Sequence, residues 1–346
     1  MSPDWSQPRV EELGRLDADL LDQLDAASAK YHGGVMELLH LAQLRRGSSI
    51  SYLVARDDQG KPVGLAPVYT AAPEWEDAVD PAALFEPPVP VTPPKLCLAG
   101  SAGTYDNHLA VAASIRGSEA RRVARALVEG SLSLARKAGC PYVMWPYLDE
   151  QQTLWLEEYR AAATAISVRD KAVLPVIWGS FEDYVMWLPH SRRKNVRRSR
   201  RRFLDSALDV REQPLADVAT EVAPLMAQTE RRYGRDIEAG QIASYFMLLG
   251  TYLDDGGFAL VARKNDRPVG SSIVLTCGDR WILRAWGCDY AALGDEELYF
   301  NLVYYEPITR AIERGAGLLD FSVGALTTKL RRGCATERLH TILIRA

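Results

Sequence analysis

Hydrophobic and polar positions divide the chain into blocks of two periods. Over 7–46, Leu13, Leu16, Leu20, Leu21 and Leu24 share one helical face, and the run Val35 to Leu44 renews it, so helix is predicted there. SYLVAR (51–56) and PVGLAPVYT (62–70) alternate at period two around DDQGK, which predicts a hairpin whose turn contains a glycine. Residues 71–96 are acidic and rich in proline and keep neither period; they read as a long loop. KLCLAG and the segment around TYDNHLAVAA read as strands. Residues 118–138 read as an amphipathic helix stopped by Gly139, and PYVMWPYL (141–148) as a buried strand. VRDKAVLPVIWG is strand-like and leads to Ser180, which with Asp183 fits the N-cap of a helix over 180–204. An amphipathic stretch follows over 215–235. Neither carries sustained heptad leucines, so no coiled-coil arm is expected.

The first half then recurs in the second. LVAR at 53–56 returns at 260–263, and PVG at 62–64 returns at 268–270. The helix that runs into Gly139 and the strand PYVMW has a counterpart in 301–314, which runs into Gly315 and the strand GLLDF (317–321). An ordered set of this kind predicts a duplicated α/β domain with its boundary near 165–180.

Charge adds one feature to this picture. The formal net charge is −4, yet Ser191–Arg202 reads SRRKNVRRSRRR. On a helix Val196, Ser199 and Phe203 form a narrow packing stripe, and Arg192, Arg193, Lys194, Arg197, Arg198, Arg200, Arg201 and Arg202 surround it. Like charges at i,i+4 repel, and no acid lies between Asp183 and Asp205 to relieve them within the helix. A polyanion would relieve them, since each phosphate neutralised also releases counterions; the alternative is a solvated charged face. The remaining composition narrows the class. Asp4, Glu11, Glu12, Asp17 and Asp19 rule out an N-terminal signal peptide, and no segment is apolar enough to span a membrane. Five dispersed cysteines and five dispersed histidines suggest neither a disulfide framework nor a metal site. A cytoplasmic protein is expected.

A hairpin ending in a PVG strand, then a strand, a helix and a Gly-terminated crossover, resembles the GNAT acyltransferase fold. The tandem pair with an Arg-rich helix opening the second copy resembles the Fem-type transferases. The carriers are SFEDYVMWLPHSRRKNVRR, ALVARKNDRPVGSSIVL, RWILRAWGCD, LLDFSVG and TKLRRGCATERLHTILI. The resemblance implies two tandem GNAT-like domains of mixed α/β class, 1–177 and 178–346. It also implies transfer of an aminoacyl group from a charged tRNA to an amine, hydroxylamine or hydroxyl acceptor. The acceptor would be a small molecule, as in the natural-product branch with seryl transfer in valanimycin assembly, or a peptidoglycan precursor. Neither copy offers the Gly-rich pyrophosphate loop of a CoA-dependent GNAT domain. No cofactor is therefore expected beyond the charged tRNA, and neither DNA nor a membrane span enters the reading. An acyl-CoA N-acyltransferase and a non-catalytic RNA-binding module remain the rival readings.

An aminoacyl ester is already activated, so the site must position a nucleophile and stabilise an oxyanion. Lys329 stands where the Fem pattern has a lysine and is the candidate cation. Asp320, at a strand end, would orient or deprotonate the acceptor, or cap a turn. Arg331 and Arg332 would join the basic helix in holding tRNA. Arg284 and Trp286 alternate on one strand face, for ribose and base contacts or for packing. Tyr304, with Tyr305 beside it, is a candidate for substrate contact or for the core. In the first copy Tyr105, Asp106 and His108 are candidates for acceptor binding. Cys334 has no evident histidine partner, and His340 reads as structural.

Overall fold

The computed structural model describes residues 7–16, 20, 23–24, 49–70, 79–86, 89, 96–100, 104–206, 208–252, 256–292 and 296–346. Most of the helix expected over 7–46 and most of the loop 71–96 lie outside them. The chain divides into two units: unit 1 is Met1–Asp170 with Glu337–Ala346, and unit 2 is Lys171–Thr336. The contiguous division 1–177 and 178–346 is therefore revised. The last strand returns to unit 1, because that is where its antiparallel partner lies.

Unit 1 begins with a strand, β1 (Arg9–Leu13), where helix was expected. It pairs with β2 (Ile50–Arg56), and Glu11 and Glu12 accept from Arg56 and Ser51 across the ladder at 2.6 and 2.8 Å. The order continues through β3 (Pro62–Tyr69), β4 (Leu96–Ala99), β6 (Tyr142–Leu148) and β13 (Ala335–Arg345), with β5 (Ala110–Val111) also on β3. Helix α1 (Pro81–Leu84) interrupts the Pro-rich loop. Helix α2 (Gly117–Lys137) lays Val123, Leu127 and Val128 on the sheet and ends at Gly139, φ +70°. Two short helices, α3 (Glu150–Trp155) and α4 (Glu157–Ala161), follow β6. Strand β7 (Ala165–Pro175) crosses the unit boundary.

Unit 2 repeats the plan. The helix expected over 180–204 is broken at Leu188–Pro189 into α5 (Phe181–Trp187) and α6 (His190–Leu204). Proline clashes with helical geometry in the residue before it, and Leu188 is extended, ψ 153°. Ser180 caps α5 as expected, accepting from the Asp183 amide at 3.1 Å. Strand β8 (Asp209–Pro214) leads to α7 (Leu215–Arg232), α8 (Ala239–Tyr252), β9 (Gly257–Lys264), β10 (Arg267–Cys277) and β11 (Arg280–Cys288). Helix α9 (Glu296–Phe300), a π-helical turn (Asn301–Tyr305) and α10 (Glu306–Glu313) run unbroken into Gly315, φ +68°, and β12 (Leu318–Asp320). A short helix, α11 (Leu326–Leu330), follows. The sheet order is β8-β9-β10-β11-β12-β7.

The strands of the two units run in the same order, and the duplication reaches single residues. In β2–β3 the register jumps from Arg56↔Pro62 to Ala55↔Gly64; in β9–β10 it jumps from Arg263↔Pro268 to Ala262↔Gly270. Val63 and Val269 are thus the extra residues of equivalent bulges. The glycine after each bulge is where a helix crosses the sheet. A Cβ on Gly64 would lie 2.4 Å from Val123, and one on Gly270 2.7 Å from Leu298. The sixth strands are exchanged. β7, which follows β6 in sequence, pairs with β12, and β13, which follows β12, pairs with β6.

Helices α7 and α8 pack on the unit-2 sheet and on each other. Gly287 of β11 faces the α7 backbone, where a Cβ would sit 2.4 Å from the Leu225 carbonyl carbon. Backbone cannot yield as a side chain can, so Gly287→Ala is expected to cost at least ~2 kcal/mol in urea unfolding. Gly240→Ala, in α8 with nothing within 4 Å, is expected to be neutral or stabilising by up to ~1 kcal/mol.

Candidate functional site

In both units the parallel pair at the centre of the sheet holds together for three residues and then parts. The pairs are Leu96–Leu98 with Tyr142–Met144 in unit 1, and Arg280–Ile282 with Leu318–Asp320 in unit 2. What fills the gap differs. In unit 1 the Asn107 amide spans it, donating to Ala99 O at 3.0 Å and Pro146 O at 2.7 Å, while its oxygen accepts from Leu109 N at 2.9 Å. Gln152 backs this plug by donating to Asn107 O and Leu109 O. Asp106 and His108 are buried in the same segment, and Tyr105 packs edge-on against Tyr147 at 5.1 Å. Asp106 and His108 are thus buried beside this plug, while Tyr105 is partly exposed.

In unit 2 the corresponding gap opens into a cleft of about 380 Å³. Its walls include Leu283, Trp286, Tyr299, Val303, Tyr304 and Phe321, with Arg235, Ser272 and Lys329 as polar members. Two local irregularities make this wall. β11 carries a bulge at Arg284, since Ile273 pairs with Ala285 and Val274 with Leu283. The bulge shifts the alternation, so Leu283, Ala285 and Trp286 all reach the cleft, whereas Arg284 turns to the Tyr245 hydroxyl at 3.0 Å. The expectation that Arg284 and Trp286 share a face is corrected on this ground. The π-helical turn is the second irregularity. Its wider winding brings Val303 and Tyr304 to the cleft beside Tyr299, while Tyr305 packs on Phe181.

Lys329 sits on α11, not on a loop, and reaches back under the end of β12. Its ammonium donates to three carbonyls, those of Phe321 (2.5 Å), Ser322 (3.1 Å) and Val323 (2.8 Å). Three donors meet three acceptors, so the group is saturated. The loop it holds is strained, with positive φ at Ser322 (62°), Gly324 (77°) and Ala325 (44°). Burial lowers the Lys329 pKa to about 8, against the opposing pull of Cys334 and Asp320. Tyr304 differs from Lys329: its hydroxyl is buried with no partner of normal hydrogen-bond geometry. Burial first, then Tyr299, holds its ionisation far above the ordinary phenol value, so it remains a donor.

Asp320 is committed elsewhere. Its carboxylate is ion-paired with Lys171 (3.0 Å) and Arg280 and accepts from Ser322 N at 2.7 Å. With Asp320 and Lys171 at 2% and 1% side-chain exposure, this triad braces β7, β11 and β12, and Asp320 does not line the cleft. Arg332 is likewise internal, stacked over Phe300 at 3.8 Å and Tyr304 at 4.7 Å, while Arg331 is exposed. The Cys334 thiol is buried and pushed up to about 12, which removes it as a nucleophile near neutrality. His340 lies on β13 in unit 1, in register with Leu148.

The basic helix α6 buries Val196, Ser199 and Phe203 as the spacing predicted. Several of its cations have protein partners that intrahelical reasoning could not find. Arg197 pairs with Glu182, Arg202 with Glu297 (3.1 Å), and Arg200 with Glu306 (2.5 Å), while Arg193 donates to Leu188 O (2.8 Å). Glu306 also pairs with Arg310, which reaches Glu212 at 3.0 Å, so Arg200 belongs to a partly buried network. Lys194, Arg198 and Arg201 fall within one narrow stripe on the side opposite the buried residues, and all three are exposed.

A family model described as FemAB-like, peptidoglycan biosynthesis/recognition, matches residues 107–344. No curated protein matches the chain. Among solved structures it is similar to FemX, at 10% identity and TM-score 0.60 over 95% of this chain and 96% of that one. It is similar to a tandem GNAT protein from the clavulanic acid biosynthesis pathway, at 13% identity and TM-score 0.52 over 98% of each. A third likeness is to the C-terminal domain of an Agrobacterium fabrum protein described as a lysylphosphatidylglycerol synthetase, at 9% identity and TM-score 0.57 over 95% and 90%. These likenesses establish the tandem GNAT fold.

Two outcomes test the site's construction. Asp320→Ala leaves Lys171 buried beside Arg280 without its counter-ion, and urea unfolding is expected to show a loss of ~3–5 kcal/mol. The ammonium form of Lys329 holds the strained loop and prevails below its pKa. The NMR signal of Lys329 Nζ should therefore titrate near 8, and loop order, read from the Gly324 amide, should fall as pH rises through that point.

Proposed function

The chain belongs to the FemAB-like family, and on that premise we propose that it moves an aminoacyl group from a charged tRNA to an amine, hydroxylamine or hydroxyl acceptor. The observation that supports this best is the open cleft of unit 2, whose counterpart in unit 1 is plugged by Asn107. An ester carbonyl seated in the cleft would lie beside Tyr304, whose phenol stays neutral and, turned from Tyr299 toward the ligand, would donate to the oxyanion. The acceptor nitrogen or oxygen attacks the carbonyl carbon and the bond to the ribose oxygen breaks. The proton lost by the acceptor ends on that ribose oxygen.

Lys329 acts in this reading as a positioning residue. It keeps the loop 321–325 in its strained form along the cleft wall and adds positive charge there. Asp320 positions the end of β12 through its ion triad. The tRNA backbone is held by Lys194, Arg198 and Arg201 with the exposed Arg331, while Arg200 and Arg332 serve the fold. The favoured acceptor is a small molecule. Helices α7 and α8 pack on the sheet of their own unit and form no projecting coiled-coil arm among the described residues. A peptidoglycan precursor is the competing acceptor. No cofactor is required, because the ester is already activated.

The test is to incubate the purified protein with tRNA carrying labelled amino acids and a cell extract as acceptor source. Label is expected to move into a ribonuclease-resistant product, and to stop with Lys329→Ala. Transfer supported only by acyl-CoA and indifferent to ribonuclease would overturn the reading. Replacing Lys194, Arg198 and Arg201 together by alanine should flatten the log–log salt dependence of the rate by about 2–3, at ~0.7–0.9 for each phosphate no longer neutralised. Arg200→Ala should lower stability and leave that slope largely unchanged.

A further inference from the structure

The lining of the unit-2 cleft has a one-sided charge. Its charged members are Lys329 and Arg235, and no carboxylate is among the described lining residues. The carboxylates on neighbouring segments are already committed. Asp320, next to Phe321 of the wall, is held by Lys171 and Arg280. Glu230 pairs with Arg235 at 2.5 Å, Glu297 with Arg202, and Glu306 with Arg200 and Arg310. The rest of the wall is aromatic and aliphatic. Five aromatic rings, Tyr233, Trp286, Tyr299, Tyr304 and Phe321, would by themselves suit a cation. Here, however, Arg332 already stands over the Tyr304 ring at 4.7 Å, and Tyr304 is stacked on Phe321 at 5.0 Å. A second cation entering the cleft would meet the fields of Lys329 and Arg332, which no lining carboxylate offsets, in a partly desolvated space, while Arg235 is already paired with Glu230.

From this charge pattern we infer that the cleft accepts an uncharged or anionic group and rejects a cationic one. Combined with the aminoacyl-tRNA reading, on which this second step rests, the donor carries an uncharged or acidic side chain and is neither lysyl- nor arginyl-tRNA. The donor's α-amine differs from a lysine side chain: the adjacent ester makes it less basic, so entering as the free amine costs it far less.

Two arms test the inference. In the first, 3-phenylpropionate, 3-phenylpropanamide and 3-phenylpropylamine, which share a ring and differ in charge, are titrated into the protein by calorimetry. Trp286→Ala serves to show that binding is in the cleft. The carboxylate and the amide are expected to bind at least tenfold more tightly than the amine, and Val303→Glu should narrow or reverse that order. Equal or tighter binding of the amine to the unaltered protein overturns the inference, and so does binding of the carboxylate that is unaffected by Trp286→Ala. In the second arm, seryl-, alanyl-, phenylalanyl- and lysyl-tRNA compete as donors. Lysyl transfer is expected to be at least tenfold slower than the best of the others, and lysyl as the preferred donor overturns the inference. Failure of every charged tRNA removes the donor reading, while the probe series still decides the charge preference of the cleft.

Discussion

A parallel strand pair that parts after three residues leaves backbone groups that must find partners elsewhere, and in unit 2 one ammonium group meets that need. Lys329 takes the carbonyls of Phe321, Ser322 and Val323, and the loop it gathers carries three residues at positive φ. Without that cation the carbonyls would turn to water, and the wall formed by Phe321, Val323 and Gly324 would have no reason to keep its shape. The triad of Lys171, Asp320 and Arg280 fixes the strand end from which the loop departs. The cleft thus rests on two buried charge clusters that hold backbone in place, and the surfaces left open to a ligand are aromatic.

Duplication gives the two units a common plan from which the unit-2 cleft departs. Both units inherit the same strand order, the same bulged hairpin and the same glycine under the crossing helix. They diverge at the parting of the central strands. In unit 1 a buried asparagine bridges the two strands, and a Cβ on Gly100 would lie 2.0 Å from its side chain, so the plug is fitted closely. In unit 2 the bulge at Arg284 and the π-helical turn widen the same place.

Much of this was legible in the sequence where period and local chemistry agree. The LVAR/PVG recurrence marked two hairpins whose registers match to the residue, and the Ser180 cap and the Val196–Ser199–Phe203 stripe follow from spacing alone. What escaped was non-local. The arginines of α6 find Glu182, Glu297 and Glu306 on other elements, which no i,i+4 rule can see. Asp320 had the position of a group that orients or deprotonates the acceptor, and only the buried Lys171 and Arg280 reveal its commitment to the fold. The bulge that separates Arg284 from Trp286, and the π-helical turn that separates the roles of Tyr304 and Tyr305, leave no mark in hydrophobic periodicity.

The central claim is that the unit-2 cleft holds the aminoacyl end of a charged tRNA. It is tested most directly by photo-crosslinking an RNA hairpin that ends in a stable 3′-aminoacylamide bearing a diazirine. The account predicts adducts on cleft residues such as Trp286, Tyr299 and Tyr304, abolished when unlabelled charged tRNA competes and unaffected by coenzyme A. Adducts confined to unit 1, or displaced by coenzyme A and not by tRNA, would contradict it.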